Sequence, residues 1–311
     1  MAQLQATVDK LVTQASRGLF QKDSQYVSEL IFPEITVKQT TGLIGKYGKS
    51  HLRIVNSLMG GRGTTPRVHV DAVDSDSYSI EKHGLSDLLT EEDFDNFDKP
   101  FDARVDLMNF LMSRIWLGKE KAIADALGST TILTQNTTLS GTNQWNDYNN
   151  SDPLDDIKTA RHAVRDGCGI PPRNAILEWK VFDTLRYHPA ILENLGYTRQ
   201  RAGKMSHAEM ASALDLDSIY VPSVVYNSSA QGQADSLAAL WGKNFVLYHT
   251  PKKASLREQS LGYYIKRKEA RKVFVNSVID PPESELVQVI DNYDYVIADA
   301  TCGYLIKSAI A

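Results

Sequence analysis

The chain has 311 residues, 42% of them hydrophobic and 23% charged, with a net charge of −4. That balance is ordinary for a globular protein of one large or two modest domains, and it excludes a polycation built to coat nucleic acid. Two cysteines, Cys168 and Cys302, are too few for a disulfide framework or a four-cysteine zinc site, and they fit a reducing compartment.

The first twenty residues set Leu4, Val8, Leu11, Val12, Ala15 and Leu19 at helical spacing, so an amphipathic helix is expected there. This start has neither the basic opening nor the continuous apolar centre of a secretory signal. No run approaches the ~18 apolar residues of a membrane span. A soluble protein, intracellular where it is made, is expected. "SELIFPEITVKQ" then reads as an extended entry, because Phe32-Pro33 blocks helix and Ile35 and Val37 alternate.

"GLIGKYGKS", Gly42 to Ser50, ends like a phosphate-binding loop but departs from that pattern. G-x-x-x-x-G-K-[ST] demands glycine at 43, where Leu43 stands. A phosphate loop must also open a helix, yet Gly60, Gly61, Gly63 and Pro66 follow closely and break one. From Thr36 to Val70 there are six cations (Lys38, Lys46, Lys49, Arg53, Arg62, Arg67) and no acid. With strand-like "RVHVDAV" and "SYSIEKHG" at its flank, the stretch 36–80 reads as a long two-stranded excursion. An isolated hairpin is marginal in water, so this one needs another surface to lie on.

From Asp71 to Asp106 the sign reverses, with twelve acids against three bases. Such blocks are either solvated faces or complementary surfaces of neighbouring subunits. "DFDNFDKPFD" resembles a calcium loop only loosely, since Asp98 replaces the turn glycine and the final glutamate is missing. Ala103 to Leu127 is the clearest element. Leu107, Met108, Leu111, Met112, Ile115, Ala122, Ile123 and Ala126 keep helical spacing, and Gly128 supplies the stop. At 1.5 Å per residue this helix is roughly 37 Å long, a spine on which other elements can pack.

A polar stretch, 135–150, leads to "SDPLDDIKTARHAV", a helix capped by Ser151 or Asp152 with Pro153 in its first turn. "PPRNAILEWK" reads as a buried strand and "VFDTLRYHPAILENL" as a broken helical pair. "SHAEMASAL" is a short helix with a Ser206–Glu209 capping box. Strands "SIYVPSVVYN" and "NFVLYHT" follow. Alternating helices and strands over 152–250 describe a compact α/β unit. A third charge block, Lys252 to Lys272, has eight bases and two acids. The tail beyond it is strand-rich and is expected to return to the spine.

No catalytic pattern emerges. Cys168 and His162 flank the end of a helix, which does not bring a nucleophile to its base. The seven histidines lack metal spacing, and no G-x-S-x-G, G-x-G-x-x-G or Cys-x-x-Cys is present. No enzyme activity, cofactor, catalytic residue or metal site is expected.

The succession of elements, with "IFPEITV", "SDPLDDI", "LRYHPAILENL" and "VVYNSSAQGQ…LAALWGKNFVLY" in that order, resembles the major capsid proteins of tailed double-stranded DNA phages. The resemblance implies an α+β Hong Kong 97-type capsid fold. It divides the chain into an N-terminal arm (1–39), an extended loop (40–82) and a peripheral domain with the spine helix (83–151). An axial domain (152–250) and a return to the peripheral domain (251–311) complete it. It further implies self-assembly into pentamers and hexamers of an icosahedral head around phage DNA, assembled in the host cytoplasm and resident in the virion. Scaffolding and portal proteins, and in some cases a decoration protein, would be partners. With only a short arm, scaffolding is expected to be separate or already cleaved. An encapsulin-like nanocompartment shell is the close alternative, and a nucleotide-binding enzyme the distant one. In this reading Lys46, Lys49, Arg53, Arg62 and Arg67 dock on a neighbour's acids, with Asp93, Asp95, Asp98, Asp102 and Asp106 as partners. Lys266, Arg267, Lys268, Arg271 and Lys272 are the candidates to face packaged DNA by non-specific phosphate contact.

Overall fold

The computed structural model describes residues 26–46, 49–59, 65, 67, 74–90, 103–196, 205–230, 232–255, 258–278 and 284–311. The expected helix over 1–20, the calcium-like stretch and most of "RVHVDAV" lie outside them.

The described chain opens with a single helical turn, α1 (Ser28–Ile31), and strand β1 (Glu34–Val37). A hairpin follows, β2 (Thr41–Lys46) against β3 (Asp74–Ser79), paired from Thr41 opposite Ser79 to Lys46 opposite Asp74. β4 (Glu81–Leu89) leads toward the spine helix α2, Ala103–Leu127, with the bounds its periodicity predicts. β1 and β4 are the outer strands of a four-stranded sheet whose middle is a long hairpin, β11 (Gly262–Val278) and β12 (Ser284–Ile297). In β12 the side chains of Val287, Val289, Asp291 and Tyr293 alternate inward. Val287 and Val289 join Val273 and Leu89 beneath Met108, Leu111, Met112 and Ile115 of the spine. One face of this sheet is therefore covered by the helix.

A second sheet, of five strands in the order β5-β13-β10-β6-β7, carries the larger core. Its strands are β5 (Asn136–Thr138), β6 (Asn174–Leu177), β7 (Ser218–Tyr220), β10 (Phe245–Tyr248) and β13 (Gly303–Lys307). β8 (Val225–Asn227) and β9 (Leu237–Ala239) form a separate two-stranded ribbon. "SIYVPSVVYN" thus divides between two sheets, because Pro222 has no N–H to continue a ladder. Against the large sheet packs α3 (Pro153–Cys168), which buries Ile157, Ala160 and Val164. Asp152 caps it by accepting from the N–H groups of Leu154 and Asp155. Gly169 ends it at φ 83°, in the left-handed region that suits glycine. The broken pair appears as α4 (Trp179–Arg186) and α5 (Pro189–Asn194), and α6 (His207–Ala213) has the expected capping box.

Two expectations are corrected. The tail does not return wholly to the spine: β11 and β12 do, but β13 enters the large sheet between β5 and β10. A strand of five residues with four buried is too apolar for any edge and completes the core instead. The two thiols are not free either. Cys168 and Cys302 form a disulfide across 134 residues, with Cα atoms 5.0 Å apart, within the span such bridges require.

Candidate assembly surfaces and the buried charge cluster

The spine helix connects both cores. Its first half lies on the four-stranded sheet, and Ile123, Ala124 and Leu127 near its end belong to the larger core. Between these halves the buried stripe of the helix continues through Lys119, four residues after Ile115, which is fully buried. Asp291 holds the equivalent place on the inward stripe of β12, so the two charges meet under the helix. Lys119 Nζ donates to Glu29 Oε1 at 2.6 Å, to the Tyr264 hydroxyl at 2.8 Å and to Asp291 Oδ2 at 3.2 Å. That uses all three ammonium protons. Its Nζ also lies 4.2 Å from the Tyr293 ring centroid.

Arg271 completes the cluster by contacting Glu29 and Asp291, with its guanidinium 4.8 Å from the Trp116 ring centroid. Burial pushes the Glu29 carboxyl up, but Lys119 and Arg271 outweigh it and hold the group at about 2. The next spine residue, Glu120, accepts from the backbone N–H groups of Val27 and Ser28 and from Trp241 Nε1 at 2.7 Å. Burial raises its carboxyl above the usual range. The segment entering from the N-terminal side is thus fastened to the spine by two adjacent residues.

This geometry removes Arg271 from the DNA-facing set. Its side chain is 16% exposed and is consumed by two carboxylates. Lys266 is paired with Glu34 at 2.6 Å and Lys272 with Glu269 at 2.8 Å, while Arg267 and Lys268 are exposed.

The projecting hairpin is built differently. Its root is packed, with Tyr78 in a small apolar cluster with Tyr263 and Ile265. Beyond β2 a four-residue 3-10 turn, Lys49–Leu52, gives way to non-helical chain through residue 59. The Gly-Lys-Ser segment therefore opens no α-helix. Lys49 reaches back to its own chain, donating to Thr301 Oγ1 at 2.8 Å and lying 3.5 Å from Asp299 Oδ2. Within a single chain, then, Lys49 is not a free docking cation, because Asp299 already neutralises it. Arg53 and Arg67 are exposed. Lys46 closes β2, and Arg62 lies outside the described residues. Of the acids proposed as partners, Asp106 is exposed in the first turn of the spine; Asp93, Asp95, Asp98 and Asp102 lie outside the described residues.

Between these cations runs an exposed apolar stretch. In "LRIVNSLM", Leu52 is 70% exposed, Ile54 102% and Leu58 83%. Side chains of this kind are each worth roughly 1.5–3 kcal/mol when buried, against about 0–1 kcal/mol for an exposed ion pair. In this loop the exposed apolar side chains thus hold more potential contact energy than the exposed cations. Five apolar residues among the eight from Leu52 to Met59, within a stretch that cannot form a helix, were the available signal.

With this architecture in view, the comparisons with known proteins are consistent. The chain is 23% identical over 307 residues to the major capsid protein of Burkholderia phage BcepMu, covering 96% of each chain. A crystal structure of a phage-related protein from Bordetella bronchiseptica matches with a TM-score of 0.74 at 24% identity, covering 98% of both chains. The capsid structure of cyanophage P-SCSP1u matches with a TM-score of 0.56 at 10% identity, over 99% of this chain and 90% of that one. The fold is that of a phage capsid subunit. No family model matches the chain. The Hong Kong 97-type resemblance read from the sequence is therefore borne out for the fold, spine helix and hairpin included. Among the described residues no group of three His, Cys, Asp or Glu side chains is placed to hold a metal, and no helix is long and apolar enough to cross a membrane.

Proposed function

We propose that this chain is the structural subunit of a phage head, self-assembling into a closed shell of identical copies. The observation that carries the reading is the match to a major capsid protein across 96% of both chains. The exposed apolar run at 52–59 supports it, since a large unburied apolar surface on a folded protein marks a contact with another molecule. Capsomers of five and six copies, scaffolding and portal partners, assembly in the host cytoplasm and the enclosed double-stranded DNA belong to the same proposal. So does the division into arm, extended loop, peripheral domain and axial domain. Its role would be mechanical, not catalytic. Lys46, Arg53, Arg62 and Arg67 on the loop would then fix register against the acidic stretch of a neighbour, while Leu52, Ile54 and Leu58 supply most of the docking energy. Sedimentation and negative-stain microscopy of the purified full-length chain test this. Capsomers or megadalton shells are expected, and a chain that stays monomeric at every concentration overturns the reading.

A further inference from the structure

The four-stranded sheet has a second face, away from the spine, which is apolar under the hairpin root and basic around an irregularity in β11. Since Val273, Val287 and Val289 point to the helix, the alternating positions Lys272 and Phe274 of β11 and Ile290 and Asn292 of β12 point the other way. Between Lys266, opposite Tyr293, and Arg271, opposite Asp291, the hairpin register slips, so that residues 267–270 of β11 face Asn292 alone. This bulge lifts Arg267 and Lys268 out of the ladder. Lys38 arrives from one side, next to Val37, which pairs with Arg267; Lys82 arrives from the other, opposite Asn292. Together they line a groove of about 550 Å³ floored by Val37, Phe274 and Ile290. Its single acid, Glu269, is already paired with Lys272. Among the described residues Lys38, Lys82, Arg267 and Lys268 have no ion-pair partner.

We propose that this groove seats the phosphate backbone of double-stranded DNA, with Lys38, Lys82, Arg267 and Lys268 as its cations, an assignment that rests on the shell reading above. Four cations, two on β11, one on β4 and one just past β1, are strung along an open channel instead of closing on one point, which suits a polyanion of regular charge. Contacts from lysine and arginine to phosphate oxygens carry no sequence information, so backbone binding of this kind is independent of sequence.

The test uses the full chain and a short duplex of random sequence, with binding followed by fluorescence anisotropy across a salt series. Lys82→Ser/Arg267→Ser/Lys268→Ser is expected to make the slope of log affinity against log salt shallower by roughly 2 to 3, since each neutralised phosphate contributes about 0.9. Lys158→Ser/Arg161→Ser/Arg165→Ser, on the basic side of α3, is the control and is expected to leave the slope unchanged. An unchanged slope in the first variant, or a loss confined to the second, overturns the assignment. So does a first variant that fails to form particles while its duplex binding persists, since the groove is then a contact between copies. Particle formation by the unsubstituted chain, read by sedimentation, tests the shell reading separately.

Discussion

Lys119 and Lys49 belong to the same residue type and end in opposite circumstances. Lys119 is fully buried, with three acceptors and an aromatic face around it. Lys49 has a side chain 45% exposed, one hydroxyl partner and one carboxylate 3.5 Å away. Their neighbours differ in the same way: Ile115 and Ile123 are buried, while Ile54 is fully exposed. The region around the spine is finished within one chain. The hairpin loop is not, and its unsatisfied surface is the part of the sequence that an assembly would complete.

The sharpest way to break this comparison is at Lys119. Lys119→Met keeps the length of the side chain but leaves Glu29, Asp291 and Arg271 with an uncompensated negative charge. Removing one partner from a buried ionic cluster costs about 3–5 kcal/mol. Urea unfolding of the full chain should show a loss of that size. The cluster also carries a pH signature. Glu29 is held at about 2 against an ordinary 4.5, so its folded form is the better acid. Its contribution is complete above pH 4.5 and is lost as pH falls from there toward 2. In Lys119→Met that acid-side loss should shrink, because the principal cation holding the carboxylate down is gone. A variant as stable as the parent, with an unchanged acid limb, would mean that Lys119 contributes little to holding the spine to its sheet.

A smaller effect is expected at the disulfide. Cys302 closes the short 3-10 turn Ala300–Cys302, which presents Thr301 to Lys49. Asp299, which pairs with Lys49, precedes this turn and caps it by accepting from the Thr301 N–H. The bond to Cys168 therefore braces the ledge on which the hairpin turn rests. Bridges across long loops typically stabilise by about 2–4 kcal/mol. Cys302→Ser should lower stability by about that much, and strong reductant during unfolding should bring the parent to the same level. Both sulfurs are buried, so reductant is expected to act on the unfolded chain and hardly on the native one. A parent whose unfolding is indifferent to reductant would remove the bridge from the account.

Local signals in the sequence were enough for the spine, the capped helix α3 and the α4–α5 pair, because each declares itself within a few residues by spacing, cap or proline. The same locality hid the rest. The Cys168–Cys302 pairing spans 134 residues, and no periodicity reports a contact at that range. Arg271 looked like its basic neighbours in "KRKEARK", since a β-bulge that turns one residue inward leaves no mark in composition. Lys119 did leave one: it falls on the apolar stripe at 108, 112, 115 and 119, where a charge must have a partner. The charge blocks drew attention to the loop for its lysines and arginines, and away from the aliphatic residues between them.

The loop itself gives the smallest effect on the isolated chain and the clearest separation of the two regions. Leu52→Ser/Ile54→Ser/Leu58→Ser removes apolar groups that are already in water, so unfolding stability should move by less than about 0.5 kcal/mol. Assembly should fail, because three side chains each worth roughly 1.5–3 kcal/mol on burial no longer reward docking. Lys49→Ala should also leave folding unchanged. It removes only a screened pair of about 0–1 kcal/mol, so sedimentation should still find particles, with any weakening of assembly imitated by added salt. The reverse pattern, assembly lost with Lys49→Ala and kept with the triple serine variant, would return the docking role to charge. It would also show that the aliphatic run faces solvent in the finished particle.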